Sequence, residues 1–408
     1  MIATDTRLTA ARSTALAPIP DGNWSSPTQV ARTVHTASIE LSICARPGWP
    51  LPGFAEQAKY AYRRLFATLQ AQGASPSDLV CEKIFMSDIE AQIGEIQGIR
   101  REFYQADPRF DGSFPAVSYV EQPPADPAQL CEIQAAATLA CGGYVRRMRT
   151  IADPPARVSG KIADIDGVRT LYLGNVTGGW SGDGMGFPEQ AAAMFRRAEA
   201  CLRREGMSFG DVVRTWIYIA EMEKNYDAFN RVRNEFFAAR GISPPPASTG
   251  IQGRIHPADR QCALDLRAVP GDGCSRATPI HAPGMNEATD YGSSFSRGMR
   301  VTLSDRSVVY ISGTASIDEQ GNVVHVGDIE GQVSRMLLNV ERLLKGQGAT
   351  VNDLVSAITY LKEPEFVQPF RDVCRRRGFP ERIPNTLCVA EVCRPEWLCE
   401  MEAIAVLG

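Results

Sequence analysis

Three acidic residues, Glu132, Asp265 and Glu400, each follow a proline (Pro115, Pro246 and Pro384) by 16 to 19 positions. A carboxyl group acts as a general base when ionised, and as a general acid when apolar surroundings keep it protonated near neutrality. Glu400 has Trp397 and Leu398 close to it in sequence, residues that could supply such apolar surroundings. Strand-end carboxylates that face solvent or cap a helix are the plain alternative, and they suit Glu132 and Asp265 better. Cys393 stands seven residues before Glu400. With no histidine nearby to form a thiolate pair, it reads as a pocket-lining hydrophobe. Ser248 and Thr249 in "PASTGI" have no identified base, so they suit hydrogen bonding to a ligand or a strand-end role. Arg214 in "VVRTWIYI" and Arg297 after "YGSSF" are the candidate anchors for a carboxylated ligand. Other arginines, as in "RRAEACLRR" and "CRRR", suit solvated helix faces.

The bulk numbers exclude several function classes. The chain has 408 residues, 22% of them charged, and a net charge of −4 with both signs interspersed. It presents no basic face for a phosphate backbone, so a nucleic-acid partner is not expected. The 11 cysteines include no C-x-x-C pair and are accompanied by 4 histidines. That argues against a zinc module or a disulfide scaffold and for reduced thiols in the cytoplasm. No apolar run reaches the roughly 18 residues of a membrane span, and the first residues lack the apolar core of a signal peptide. "GGWSGDGMG" at 178–186 has the glycine of a phosphate loop without its lysine, so it reads as a loop over a cleft. Neither a metal nor a cofactor is expected.

The elements that must position these residues repeat three times. "GASPSDLV" (73–80), "GMSFGDVV" (206–213) and "GATVNDLV" (348–355) each follow an amphipathic helix and precede a β-rich run, "LVCEKIFM", "VVRTWIYI" or "LVSAITYL". A second helix and the proline phrase come next. One repeat reads β-β-α-β-α-β-β, an α+β unit whose helices cover one sheet face. The expected bounds are 31–140, 158–270 and 285–408, after a largely irregular arm at 1–30. Polar or proline-rich joints are expected at 141–160 and 270–290.

The helix, G-x-S/T-x-x-D-[LV]-V turn, strand, helix, proline phrase and terminal "EMEAIAVL" together resemble the Rid (YjgF) family over nearly all of residues 35–408. Members resemble one such repeat and form trimers with ligand clefts between subunits. The resemblance therefore implies a covalent pseudo-trimer of chorismate mutase-like units, with non-identical clefts and a monomeric or dimeric chain. In family members that deaminate imines, the proline phrase reads P-A-R-S and its arginine clamps a carboxylate. Here Val117, Ser248 and Thr386 occupy that position, which argues against ordinary imine deamination.

Parts of the second and third repeats are similar to the chorismatases. The likeness rests on "SGTASI" (312–317), "VHVGD" (324–328) with Gln332, and "DYGSSFSR" (290–297), with "VRTWIY" and "YDAFNRVR" a looser echo. It implies that Glu400 protonates an enol ether and that Cys393 shapes the pocket. Arg214, Tyr218, Ser248, Arg297 and Ala315 complete the expected substrate contacts, while His325 reads as structural. The leading expectation is a cofactor-free enzyme acting on a small carboxylated metabolite by chorismatase-like enol-ether hydrolysis or elimination. Imine or enamine chemistry, or a non-catalytic binding protein, are the alternatives.

Overall fold

The structure, a computed structural model, describes residues 24, 26–47, 51–153, 158–271, 275–282, 285–287 and 294–408. The first unit runs β1 (Thr28–Val34), β2 (Ser38–Ala45), α1 (Phe54–Ala71), β3 (Leu79–Met86), α2 (Ile89–Ala106), β4 (Ala116–Glu121) and β5 (Cys131–Ala140). The second runs β6 (Arg146–Asp153), β7 (Val158–Ile165), β8 (Val168–Thr177), α3 (Phe187–Arg204), β9 (Val212–Ile219), α4 (Met222–Ala238), β10 (Ala247–Gln252), β11 (Arg254–Ile255) and β12 (Cys262–Ala268). The third runs β13 (Arg276–Pro279), β14 (Gly298–Thr302), β15 (Ser307–Ala315), α5 (Ile329–Lys345), β16 (Leu354–Leu361), α6 (Val367–Arg377), β17 (Asn385–Val389) and β18 (Cys399–Leu407).

Each unit centres on a six-stranded sheet, ordered β1-β2-β5-β3-β4-β11, β10-β9-β12-β8-β7-β6 and β13-β14-β15-β18-β16-β17. In each, the strand before the second helix pairs in parallel with the strand after it: β3 with β4, β9 with β10, β16 with β17. The other pairings are antiparallel. This is the expected α+β architecture of three like units. The long strands β3, β9 and β16 coincide with the three β-rich runs read from sequence.

The repeated turn has a physical explanation. Gly73, Gly206 and Gly348 end the first helix of their units with φ of 74°, 70° and 72°, a left-handed conformation costly for any side chain. Three residues after Ser75, Ser208 and Thr350, the aspartates Asp78, Asp211 and Asp353 accept hydrogen bonds from the backbone N–H of those residues at 2.7 Å in each unit. Each carboxylate therefore closes a single turn and launches the strand. Above each sheet the first helix buries one stripe, such as Ala58, Ala61, Leu65 and Leu69 in α1 and Val333, Met336, Val340 and Leu344 in α5.

The units close into a ring. Val117 N donates to Ser159 Oγ between the first and second, Ser248 N to Ser312 Oγ between the second and third, and Gln134 Nε2 to Ala357 O between the first and third. Strand β11 also crosses to pair with β4, Arg254 opposite Glu121.

Strands β6 and β13 form inside the stretches read as joints, and β1 begins inside the expected arm. β6 is an outer strand of sequence "RRMRTIAD", so its polar alternation resembles a linker until its ladder with β7 is seen. Residues 1–23 and 25 of the arm, 154–157 of the first joint, 272–274, 283–284 and 288–290 of the second joint, and 290–293 of "DYGSSFSR" lie outside the described residues. The loop at 178–186 is tied down by Arg260, which donates to Gly178 O at 2.9 Å and pairs with Asp183 at 3.1 Å.

The turn aspartates are expected to act as caps. Asp353→Ala should lower the unfolding free energy by about 0.5–2 kcal/mol, read as a shift in the urea midpoint with unchanged slope. A shift indistinguishable from zero would show that the turn forms without its carboxylate.

Candidate active site

Strand β18 lies inside the third sheet between β15 and β16, so Glu400 near its start is covered on both flanks, opposite Ala315 and Tyr360. The ladder between β15 and β18 shifts register between Ile311 and Thr314. Such a bulge re-aims the side chains around it. Gly313 sits in this bulge, where a Cβ would lie 2.9 Å from Glu400 Cδ and 3.2 Å from Thr249 Cγ2. A glycine is needed for the backbone to pass the carboxyl group, and its N–H donates to Thr249 Oγ1 at 3.0 Å.

Glu400 faces a cavity of about 300 Å³ at the seam of the second and third units. The expected residues Ser248, Arg297, Ala315 and Cys393 line it together with Glu400. Beside them stand Arg233, Arg394, Tyr226, Asp227, Phe295 and Trp397, which sequence reasoning did not assign as ligand contacts. Four lay within quoted stretches, Tyr226, Asp227 and Arg233 in "YDAFNRVR" and Phe295 in "DYGSSFSR", and Trp397 is three residues before the acid. Arg297 is positioned by Asn286, donating from Nε to its backbone oxygen at 2.9 Å and from Nη2 to Oδ1 at 3.0 Å. Arg233 donates to Asn230 Oδ1 at 2.7 Å, and the Arg394 guanidinium lies 5.0 Å from the Trp397 ring centroid. Guanidinium groups and aromatic faces thus surround one buried carboxyl group.

Arg214 and Tyr218 are placed elsewhere. The Arg214 guanidinium lies behind the cavity, donating to Thr249 Oγ1 at 2.5 Å and to Glu402 Oε2 at 2.8 Å. The indole N–H of Trp216 donates to the other oxygen of Glu402. Arg214 therefore neutralises a neighbouring acid and reaches Glu400 through its field alone. Tyr218 points to the seam of the first and second units, where its hydroxyl accepts from Lys83 Nζ at 2.7 Å and donates to Asp265 Oδ2 at 3.1 Å.

No hydrogen bond from a described residue reaches the Glu400 carboxyl group, which is 4% exposed. Burial, reinforced by the nearby Glu402 charge, pushes its pKa up to about 8, against the opposing pull of Arg214 and Arg297. Burial likewise pushes the Cys393 thiol up to about 12, which leaves it a neutral wall of the cavity.

The equivalent acids at the other seams are neutralised. Glu132 accepts from Arg46 Nε at 3.0 Å and from Thr386 Oγ1 at 2.8 Å, and Arg46 is further held by Asn385 O at 2.6 Å. Asp265 accepts from Lys83 Nζ at 3.0 Å, from Ser118 Oγ and from Asn175 N. Both pairs are buried. Arg46 follows Ala45, which pairs with Ile133, so continuing the ladder sets Arg46 opposite Glu132 just as Ala315 is opposite Glu400. A methyl group in place of a cation leaves the third acid without an ion-pair partner among the described residues.

Comparison with known proteins agrees with this geometry. The sequence profile of the family described as endoribonuclease L-PSP matches residues 172–260 and 287–407, just over half of the chain. A 3-aminoacrylate deaminase, RutC, of Acinetobacter baylyi is 29% identical over 104 residues, 24% of this chain and 79% of the relative. Among solved structures a chorismatase superposes with a TM-score of 0.61 at 18% identity, covering 91% of this chain and 99% of the other. That likeness establishes the fold along nearly the whole chain.

The neutralised seams are expected to be structural. Arg46→Ala, which strands Glu132 in the interior, should destabilise the protein by about 3–5 kcal/mol, and adding Glu132→Gln should restore a large part of the loss. Urea unfolding of the two single variants and the double variant measures this; additive losses would show that the two groups do not depend on one another.

Proposed function

Because the chain belongs to the Rid (YjgF) family, whose profile carries the description endoribonuclease L-PSP, we propose that the cavity between the second and third units is the active site of a cofactor-free enzyme acting on a small carboxylated metabolite. The reaction it suits best is chorismatase-like hydrolysis of an enol ether, with Glu400 as general acid. The observation that carries this reading is a buried carboxyl group that accepts no hydrogen bond from a cation among the described residues, facing a cavity that arginines also line. A carboxyl group that holds its proton near neutrality can deliver it to carbon.

Glu400 would protonate the terminal methylene of the enol ether while Arg297 holds a substrate carboxylate. The oxocarbenium ion so formed adds water, whose surplus proton returns to the Glu400 carboxylate. The hemiketal then collapses: its hydroxyl proton passes to the ether oxygen, the C–O bond breaks, and an alcohol and pyruvate are released. Cys393, Ala315 and Trp397 would shape the wall and exclude bulk water.

The second reading, hydrolysis of an imine or enamine, is favoured by the 29% identity to the deaminase. Against it stands the proline phrase, in which Val117, Ser248 and Thr386 supply no guanidinium fork. A neutral hydroxyl or methyl forgoes a charged hydrogen bond worth about 1.5–3 kcal/mol.

Incubation with chorismate should release pyruvate, and Glu400→Gln should reduce turnover by about 10²–10⁴-fold while KM changes little. No pyruvate from chorismate, together with ammonia release from imines, would move the assignment to the second reading; turnover of neither would leave a binding protein.

The pH dependence follows from the raised pKa. Glu400 is active when protonated, so kcat should fall as pH rises through about 8. The folded protein also binds this proton more tightly than the unfolded chain, so stability should decline as pH rises from 4.5 to about 8. In Glu400→Gln this component of the stability profile should vanish; its persistence would assign it to another group.

A further inference from the structure

A second enclosed space lies on the axis of the ring, away from the cavity at Glu400. Its volume is about 100 Å³, and strands of all three sheets wall it, through Leu41 and Gln134 of the first, Tyr172 and Trp216 of the second, and Val355 and Ile404 of the third. It opens into a wider funnel of about 1120 Å³, with which it shares Glu40, Tyr172, Leu303 and Arg306. The chamber is mostly apolar, with a few charged groups, which is the usual composition of a small-molecule site.

Three cations border the chamber, and two of them are held by carboxylates. Lys83 is paired with Asp265 at 3.0 Å, and Arg306 with Glu40 at 2.7 Å and Asp305 at 2.9 Å. Arg267 forms no ion pair with a carboxylate among the described residues and acts on Glu40 through its field alone. Its Nη1 donates to the Tyr310 hydroxyl at 2.6 Å, and its guanidinium lies 4.5 Å from the Tyr172 ring centroid and 5.3 Å from that of Tyr310. Arg267 Nε is buried without a hydrogen-bond partner. A buried N–H donor without an acceptor forfeits its hydration, and a bound oxyanion would restore the missing hydrogen bond. The unpartnered Nε–H of Arg267 favours an anionic acceptor, and the aromatic walls suit a flat aromatic body.

We propose that this axial chamber is a second small-molecule site, which takes the carboxylate of a small aromatic acid on Arg267 between the rings of Tyr172 and Tyr310. The rest of a longer ligand would run out through the funnel past Leu303. The proposal stands on the chamber alone and is independent of the reaction assigned to Glu400.

Benzoate is a suitable probe, because Trp216 borders the chamber and reports occupancy by fluorescence. The full-length protein should bind it saturably, one per chain by calorimetry. Arg267→Leu should weaken binding by about tenfold or more, the loss of a charged hydrogen bond. Leu303→Trp, which narrows the mouth and leaves Arg267 in place, should do the same, and thermal melts of both variants check that they are folded. Arg297→Leu, at the other cavity, should bind benzoate as the unmodified protein does. Binding that survives both chamber variants, binding lost in Arg297→Leu, or no saturable binding up to about 10 mM would each overturn the proposal.

Discussion

Burying an ionised carboxylate is the constraint around which the three seams are organised. Removing such a group from water costs several kcal/mol unless a cation and further hydrogen bonds replace its hydration. The fold places an acid at the same point of each unit, on a strand inside its sheet, facing the neighbouring unit. Arg46 meets Glu132 and Lys83 meets Asp265, each within 3.0 Å. At the third seam the acid keeps its proton instead. The same desolvation thus yields two internal ion pairs and one acid poised near neutrality.

Covalent linkage of the units is what permits this inequality. In a trimer of identical chains, a change at one seam is a change at all three, because the interface is generated by symmetry. Here the position facing the acid is Arg46 in one unit and Ala315 in another. Two seams can therefore hold the ring together while the third opens into a cavity. Loss of the phrase arginine fits the same division: Thr386 now satisfies Glu132, and Ser118, beside Val117, satisfies Asp265.

Much of the fold was legible in the sequence because its determinants are local. Gly73, Gly206 and Gly348 mark left-handed helix ends, the aspartates five residues later close the turns, and periodicity separates helix from strand. The site was legible in part. Glu400, Cys393, Ser248, Arg297 and Ala315 share one cavity. Arg214 misled, because on strand β9 nothing local distinguishes an arginine aimed at a ligand from one aimed at Glu402, 188 residues away. The cations at the other seams were invisible for the same reason. Lys83 and Asp265 lie 182 residues apart, and their pairing exists only after the ring closes. β6 and β13 were hidden differently, since an outer strand needs little apolar patterning to pair.

Glu402 shows how the third seam holds two carboxyl groups without two charges in the cavity. It lies two residues beyond Glu400 on the same strand, so alternation gives both side chains the same face. Two ionised carboxylates so close would repel, and one of them must be neutralised or protonated. Arg214 pairs with Glu402 at 2.8 Å, and the Trp216 indole N–H donates to its other oxygen. With that cation committed to Glu402, burial and then the Glu402 charge raise the pKa of Glu400, whose neighbour Gly313 leaves no side chain to shield or bind it. The acid at the cavity is therefore set from behind, by a pair that lines no part of it, and substitutions at Arg214 or Glu402 alter the charge beside Glu400 without touching the cavity wall.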